Sequence, residues 1–148
     1  ILTTFESQSI RFKEVDVREM GRQAGGVIGM KLDKGDHVVS AQRVEKGVKG
    51  AKLLIMTENG FGKMTDLKEY KTQGRGGSGI KTVKVTDKTG KLMVARVVTT
   101  ETEILAISKQ SVVIKTTLDS VPTLGRDTQG VRIMKPKDGD SIASLNLL

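Results

Sequence analysis

Three copies of one unit stand in this chain. Nothing else in it limits the possible folds as strongly, because self-similarity at a fixed period marks a repeat architecture before any secondary structure is assigned. Gly21-Arg22 and Gly26-Val27 recur 53 residues later as Gly74-Arg75 and Gly79-Ile80, and 51 residues after that as Gly125-Arg126 and Gly130-Val131. The same offsets align Ile1, Leu54 and Leu105; Thr4, Thr57 and Ser108; Ser7, Gly60 and Ser111; Val17, Tyr70 and Val121; and Met30, Val83 and Met134. Columns this regular do not arise by chance. In this register the chain starts at the first position of a unit, and Leu148 falls opposite Val97 near the end of the previous one. The expected division is a single domain of three units, about 1–52, 53–103 and 104–148.

Within a unit the pattern is that of strands. Lys52–Thr57, Gly62–Thr65, Ile80–Thr86 and Leu92–Thr99 are short runs rich in β-formers, and helical periodicity is absent. Glu58-Asn59-Gly60, the glycine-rich Gln73–Gly79 and Asp87-Lys88-Thr89-Gly90 separate them as turns. Val83 and Val85 flank Lys84, the alternation of a strand with one buried face. The expected fold is all-β: three four-stranded antiparallel blades of about 50 residues, propeller-like in size. With no Trp, a WD-type blade is excluded, and a kelch blade has little support.

Composition narrows the function by exclusion. There is no Cys and only one His, His37, so disulfides, thiolate metal sites, cysteine nucleophiles and Ser-His pairs are out. His37, beside Asp33 and Asp36, reads as a turn residue, and neither metal nor cofactor is expected. No run of non-glycine apolar residues exceeds four, as in Leu53-Leu54-Ile55-Met56, so neither a membrane span nor a secretory segment is expected and the cytosol is the default. The net charge is +8, and the three units contribute +3, +3 and +2, so the excess is spread through a folded body rather than held in a tail. A domain this basic attracts polyanions. Three Phe and one Tyr are too few for the aromatic platforms that hold single strands, so duplex nucleic acid fits better.

Gly74-Arg75-Gly76-Gly77-Ser78-Gly79 satisfies G-x-G-x-x-G, the spacing of a dinucleotide cradle. Such a cradle must follow a strand and open a helix, whereas Ile80–Thr86 continues as a strand pattern. The structural alternative is that these glycines allow positive φ in a tight connection. The functional one adds Arg75, whose glycine neighbours let the backbone approach a phosphate. Gln73-Gly74-Arg75-Gly76-Gly77-Ser78-Gly79 resembles the box heptapeptide Gln-Arg-Arg-Gly-Gly-Lys-Gly of the DNA gyrase A family, departing from it at Gly74 and Ser78, so that two of its three cations are lost. Thr57–Lys63, Leu124–Met134 and Met20–Val27 resemble the same family, so the likeness covers all three units. It implies a β-pinwheel, a propeller-like ring of about six blades in which neighbours exchange a strand, with this chain as its C-terminal part. It further implies sequence-independent wrapping of duplex DNA in support of ATP-dependent negative supercoiling. The partners would be the rest of gyrase A and gyrase B in an A2B2 enzyme, in the cytoplasm and on the nucleoid. The catalytic tyrosine and the ATPase of that enzyme lie in other domains; no catalytic residue is expected here, and Tyr70 packs in its blade.

Phosphate contacts are expected on cations that recur between units. Arg22, Arg75 and Arg126 form one column; Lys31, Lys84 and Lys135 another; Arg11 and Lys115 a third, where Met64 interrupts beside Lys63. Lys81 and Arg132 complete the candidate set. The arginine column has two readings of equal weight, DNA contact or a structural guanidinium bonded to loop carbonyls. Two functions compete with a gyrase-type wrap. One is the related domain of topoisomerase IV, which the imperfect box keeps open. The other is a protein-interaction propeller, which would show an exposed apolar or aromatic patch.

Overall fold

A computed structural model describes all 148 residues. The strands are β1 (Leu2–Thr4), β2 (Gln8–Ile10), β3 (Val38–Ala41), β4 (Lys52–Thr57), β5 (Phe61–Asp66), β6 (Ile80–Lys81), β7 (Leu92–Val98), β8 (Glu103–Ser108), β9 (Val113–Thr117), β10 (Val131–Arg132) and β11 (Ile142–Leu147). They form three antiparallel sheets in the orders β3-β1-β2-β6, β10-β5-β4-β7 and β11-β8-β9. Each sheet starts from a hairpin whose turn closes identically: the N–H of Ser7, Gly60 or Ser111 donates to the carbonyl of Thr4, Thr57 or Ser108, each at 3.0 Å. All three closing residues have positive φ (76°, 78° and 62°), so two serines hold a conformation that usually selects glycine.

The fourth strand of a sheet comes from the next unit. β6 pairs with β2 through Gln8↔Lys81 and Ser9↔Ile80, and β10 pairs with β5 through Phe61↔Arg132 and Gly62↔Val131. Around each exchanged strand the same bonds recur: Gln73 N–H to Arg11 O (2.7 Å) and Leu124 N–H to Met64 O (2.8 Å), then Thr82 N–H to Ser7 O and Ile133 N–H to Gly60 O, both 2.9 Å. The third sheet, with no following unit in this chain to lend a strand, has three. The exchange also corrects the strand expected over Ile80–Thr86. Only Ile80–Lys81 is strand, because beyond it Thr82 bonds backward to Ser7 while Lys84 N–H bonds forward to Thr128 O (3.1 Å), and no single neighbour offers a ladder. Val83 is buried and Lys84 exposed, so the alternation marks a seam between sheets.

Burial explains why β4 reads as a continuous apolar run. Leu54 and Met56 face a core shared with Ile104, Ala106, Ile142 and Leu145, while Leu53 and Ile55 face a second core with Tyr70, Val83 and Leu92. A sheet covered on both faces needs apolar residues at odd and even positions alike. Single 3-10 turns at Glu14–Asp16, Leu67–Glu69 and Leu118–Ser120 occupy matching columns; the last two bury a leucine, whereas Glu14 is exposed. Tyr70 is buried, as expected, and desolvation pushes the pKa of its phenol up to about 12. His37 stacks on Phe5 with ring centroids 4.8 Å apart.

Candidate nucleic-acid interface

The box-like loop lies on the seam between the first two sheets, and its backbone needs explain its glycines unevenly. Gly76 and Gly79 have positive φ, and a Cβ on Gly79 would come within 2.6 Å of Ser9 O. Gly130, its counterpart on the next seam, likewise has positive φ and approaches Gly62 O too closely for any side chain. Gly74 has neither constraint: its φ is ordinary and nothing lies within 4 Å of the Cβ position.

The arginines are committed to this seam. Arg75 donates from Nε to Asp16 O (3.0 Å) and from Nη1 to Ile28 O (2.5 Å), while Arg126 donates from Nη1 to Lys81 O (2.9 Å). Ile28 and Lys81 occupy one column of the repeat, so each guanidinium fastens its own loop to the equivalent carbonyl of the preceding unit. Of the two readings of this column, the geometry supplies the structural one for Arg75 and Arg126. Arg22, which has no preceding unit within this chain, is exposed and forms no side-chain hydrogen bond. Arg11 is also engaged, donating from Nη1 to Leu67 O (3.0 Å) and Tyr70 O (3.3 Å). Lys115 pairs with Glu103 at 2.8 Å.

Lys63 requires a correction. The sequence groups it with the surface cations, but it is fully buried, with Nζ donating to Gly125 O (2.5 Å), Arg126 O and Thr128 Oγ1 (2.9 Å). Its ammonium pins the loop of the following unit from beneath and cannot reach a phosphate. Desolvation lowers its pKa from the ordinary 10.5 to about 8, against the opposing pull of Glu69 and Asp127 and with a further push from Arg126. The repeat carries a signal of this: the residues in its column are Ile10 and Ile114, both apolar.

The lysine column stays open to solvent. Lys31, Lys84 and Lys135 are all exposed and belong to none of the four ion pairs in the chain. Lys31 N–H donates to Gly77 O (2.9 Å) and Lys84 N–H to Thr128 O (3.1 Å), so these two backbones are fixed at equivalent points of successive seams. Lys81 and Arg132, in the exchanged strands, are exposed too, and the Arg132 guanidinium lies 4.8 Å from the centre of the Phe61 ring. Lys88, which sequence reasoning passes over as a turn residue, sets Nζ 5.4 Å from the same ring and is exposed. None of the four Phe and Tyr side chains is exposed, so no stacking platform accompanies these cations. No group of three or more His, Asp or Glu residues is arranged to hold a metal, and no helix is long and apolar enough to cross a membrane.

Comparison with known proteins matches this arrangement to one family. The family described as "DNA gyrase C-terminal domain, beta-propeller" matches three times, over residues 8–45, 46–99 and 102–148. The DNA gyrase A protein of Deinococcus deserti is 38% identical over 146 residues, and that of Staphylococcus epidermidis 36% over 145, covering 97% and 98% of this chain. The chain spans only 18% and 16% of those relatives' lengths. Among solved structures, a DNA gyrase A C-terminal domain superposes with a TM-score of 0.86 at 31% identity, over all of this chain and 50% of that one. The C-terminal domain of a DNA topoisomerase IV has the same fold, with a TM-score of 0.90 at 21% identity over 99% of this chain and 45% of that one. With sheets that repeat at the matched intervals and exchange a strand at every seam, the chain belongs to the DNA gyrase C-terminal domain family.

Proposed function

We propose that this chain binds duplex DNA through its phosphates, without reading bases, and bends the duplex along the outside of the sheets. The observation that carries the reading is the lysine column: three exposed, unpaired ammonium groups at one position of three successive units. Lys81, Lys88, Arg132 and Arg22 extend the cationic surface. Duplex DNA presents one negative charge per about 1.7 Å of axis, so a repeated cation on a curved body gains contacts by bending it. Base discrimination would require side chains placed against groove edges or stacking surfaces, and the aromatic residues here are inside or half-buried.

In this reading the domain supplies no chemistry. It serves DNA gyrase, as part of gyrase A and together with gyrase B, by wrapping a segment that the enzyme passes through a break during ATP-dependent negative supercoiling, on the bacterial nucleoid. The relatives that support it are gyrase A proteins at 36–38% identity, which favours gyrase over topoisomerase IV.

The test is a salt titration of duplex binding. Log K should fall by about 0.9 per neutralised phosphate for each tenfold rise in salt, equally for unrelated sequences. Replacing Lys31, Lys84 and Lys135 together by Ala should lower the slope by up to about 2.7. A slope unchanged by the triple replacement, or strong sequence selectivity, would exclude this surface as the DNA path.

A further inference from the structure

At the second seam the repeat is broken twice, and both departures meet at one aromatic ring. The turn that precedes β7 is one residue longer than its counterparts, since Thr57 faces Leu92 where Thr4 faces Val38 and Ser108 faces Ile142. That longer turn, Asp87–Gly90, carries Lys88. The column that holds Gln8 and Val112 in the other units holds Phe61 here, the first residue of β5. Its ring is only 6% exposed, and the Lys88 ammonium and the Arg132 guanidinium lie 5.4 Å and 4.8 Å from its centre.

Both cations are held from the backbone. Arg132 stands directly across the exchanged strand pair from Phe61. The turn of Lys88 is tied to the β4–β5 hairpin, because Asn59 Nδ2 donates to Asp87 O (3.2 Å) and Lys88 O (3.1 Å) and Asn59 N–H donates to Thr89 O (3.0 Å). Thr89 is fully buried and closes the turn from within, accepting at Oγ1 from Thr86 N–H (3.0 Å). One charge thus comes from the second unit and one from the third, on a single frame.

We propose that Lys88 and Arg132 jointly hold one phosphate of the duplex beside Phe61 and so fix the register of the DNA on this body, a role that rests on the DNA-binding reading above and adds an anchor to it. Two like charges drawn to one ring repel each other, and neither belongs to any of the four ion pairs in the chain. The ring offsets part of that repulsion, because its face attracts cations. An anion received by both removes more of it. The side chains suit a phosphodiester: arginine presents parallel donors to a pair of oxygens, and lysine adds a compact charge that demands no single direction.

Preorganisation separates this pair from the lysine column. Lys31, Lys84 and Lys135 are exposed, with neither an ion pair nor a ring to order them, so each phosphate contact must first restrict a flexible stem. Lys88 and Arg132 have given up part of that freedom already. The first seam shows the contrast: Gln8 faces Lys81 there, with no ring and with the shorter turn, which leaves Lys81 to make a single contact. A row of equivalent cations lets a duplex slide along it. One stronger point stops it at a defined phase.

A double-mutant cycle in duplex binding tests the anchor. At low salt Lys88→Ala and Arg132→Ala should each weaken binding about fivefold, and the double replacement should fall short of the product of the two by at least about threefold. The salt slope of the double variant should drop by about 0.9, the share of one phosphate, rather than by about 1.8. Phe61→Leu removes the ring but no charge. It should weaken binding at least about threefold when both cations are present and have no effect when both are already Ala, whereas damage to the fold would act in either background. Additive single losses with a slope that falls by about 1.8 would overturn the anchor, while the response to the triple lysine replacement could still uphold the wider path. A Phe61→Leu loss equal in both backgrounds would overturn it too. Duplex binding with no salt dependence would overturn the anchor and the DNA-binding reading together.

Discussion

Lys63 shows how one residue can be misread on charge and understood on position. Its three acceptors are a carbonyl of Gly125, a carbonyl of Arg126 and the Thr128 hydroxyl, all on the loop that Arg126 also ties to Lys81 O. Removing the ammonium strips these part-buried acceptors of a charged donor and leaves the Arg126 carbonyl without a partner, which costs more than the hydrogen bonds themselves contributed. Lys63→Met should thus lower stability by about 2–4 kcal/mol at neutral pH. The depressed pKa adds a pH signature. Between about 8 and 10.5 the unfolded chain binds the proton that the folded chain has released, so Lys63 contributes more to stability as pH rises through that window, and least below it. Urea unfolding of wild type and Lys63→Met at pH 7 and pH 9.5 should show the gap widening by on the order of 1–2 kcal/mol at the higher pH. A gap that stays constant or narrows would mean the lysine titrates normally. The clue to its burial lies in the column with Ile10 and Ile114, because a position that is apolar in two units of a repeat is a core position in the third.

At the scale of the element, the loop and its exchanged strand separate what the repeat makes legible from what it does not. The strands β4, β5 and β7 are readable because their side chains alternate or run apolar against filled cores. Which sheet β6 and β10 join is not readable from the residues, since identity columns record what recurs and not what it pairs with. The glycine column shows the difference in energy. Gly26, Gly79 and Gly130 share a positive φ near 80°, but a Cβ would strike backbone only at Gly79 and Gly130. Gly26→Ala should cost about 1 kcal/mol, the conformational term alone. Gly130→Ala should cost several times that, because Gly62 O must move. Equal losses in thermal unfolding would show that φ and not the strand crossing sets the glycine requirement. The arginines divide in the same way. Arg75→Ala and Arg126→Ala should each lower stability by about 1–2 kcal/mol, with little effect on DNA affinity, whereas Lys84→Ala should do the reverse.

For the whole molecule, the matter is whether the cations act as one path or as separate contacts. The box-like loop offers a way to decide, because its missing cations can be restored without disturbing the seam. Gly74 has an ordinary φ and an open Cβ position, and Ser78 is exposed, so Gly74→Arg with Ser78→Lys should leave the melting temperature within a degree or two of wild type. The loop lies on the seam whose Gly77 carbonyl receives Lys31 N–H, so the new charges fall beside the lysine column and on the same curved body. If the duplex follows that column, the double replacement should raise duplex affinity at low salt and steepen the salt dependence by up to about 1.8. It should also bring the ends of a duplex with terminal fluorophores closer together, since added contacts at one seam offset the elastic cost of bending across the next. The triple lysine replacement should relax the same duplex toward its straight length. Affinity that rises with no change in end-to-end transfer would mean that the loop binds phosphates off the path. In that case the lysine column would hold a straight duplex rather than a wrapped one.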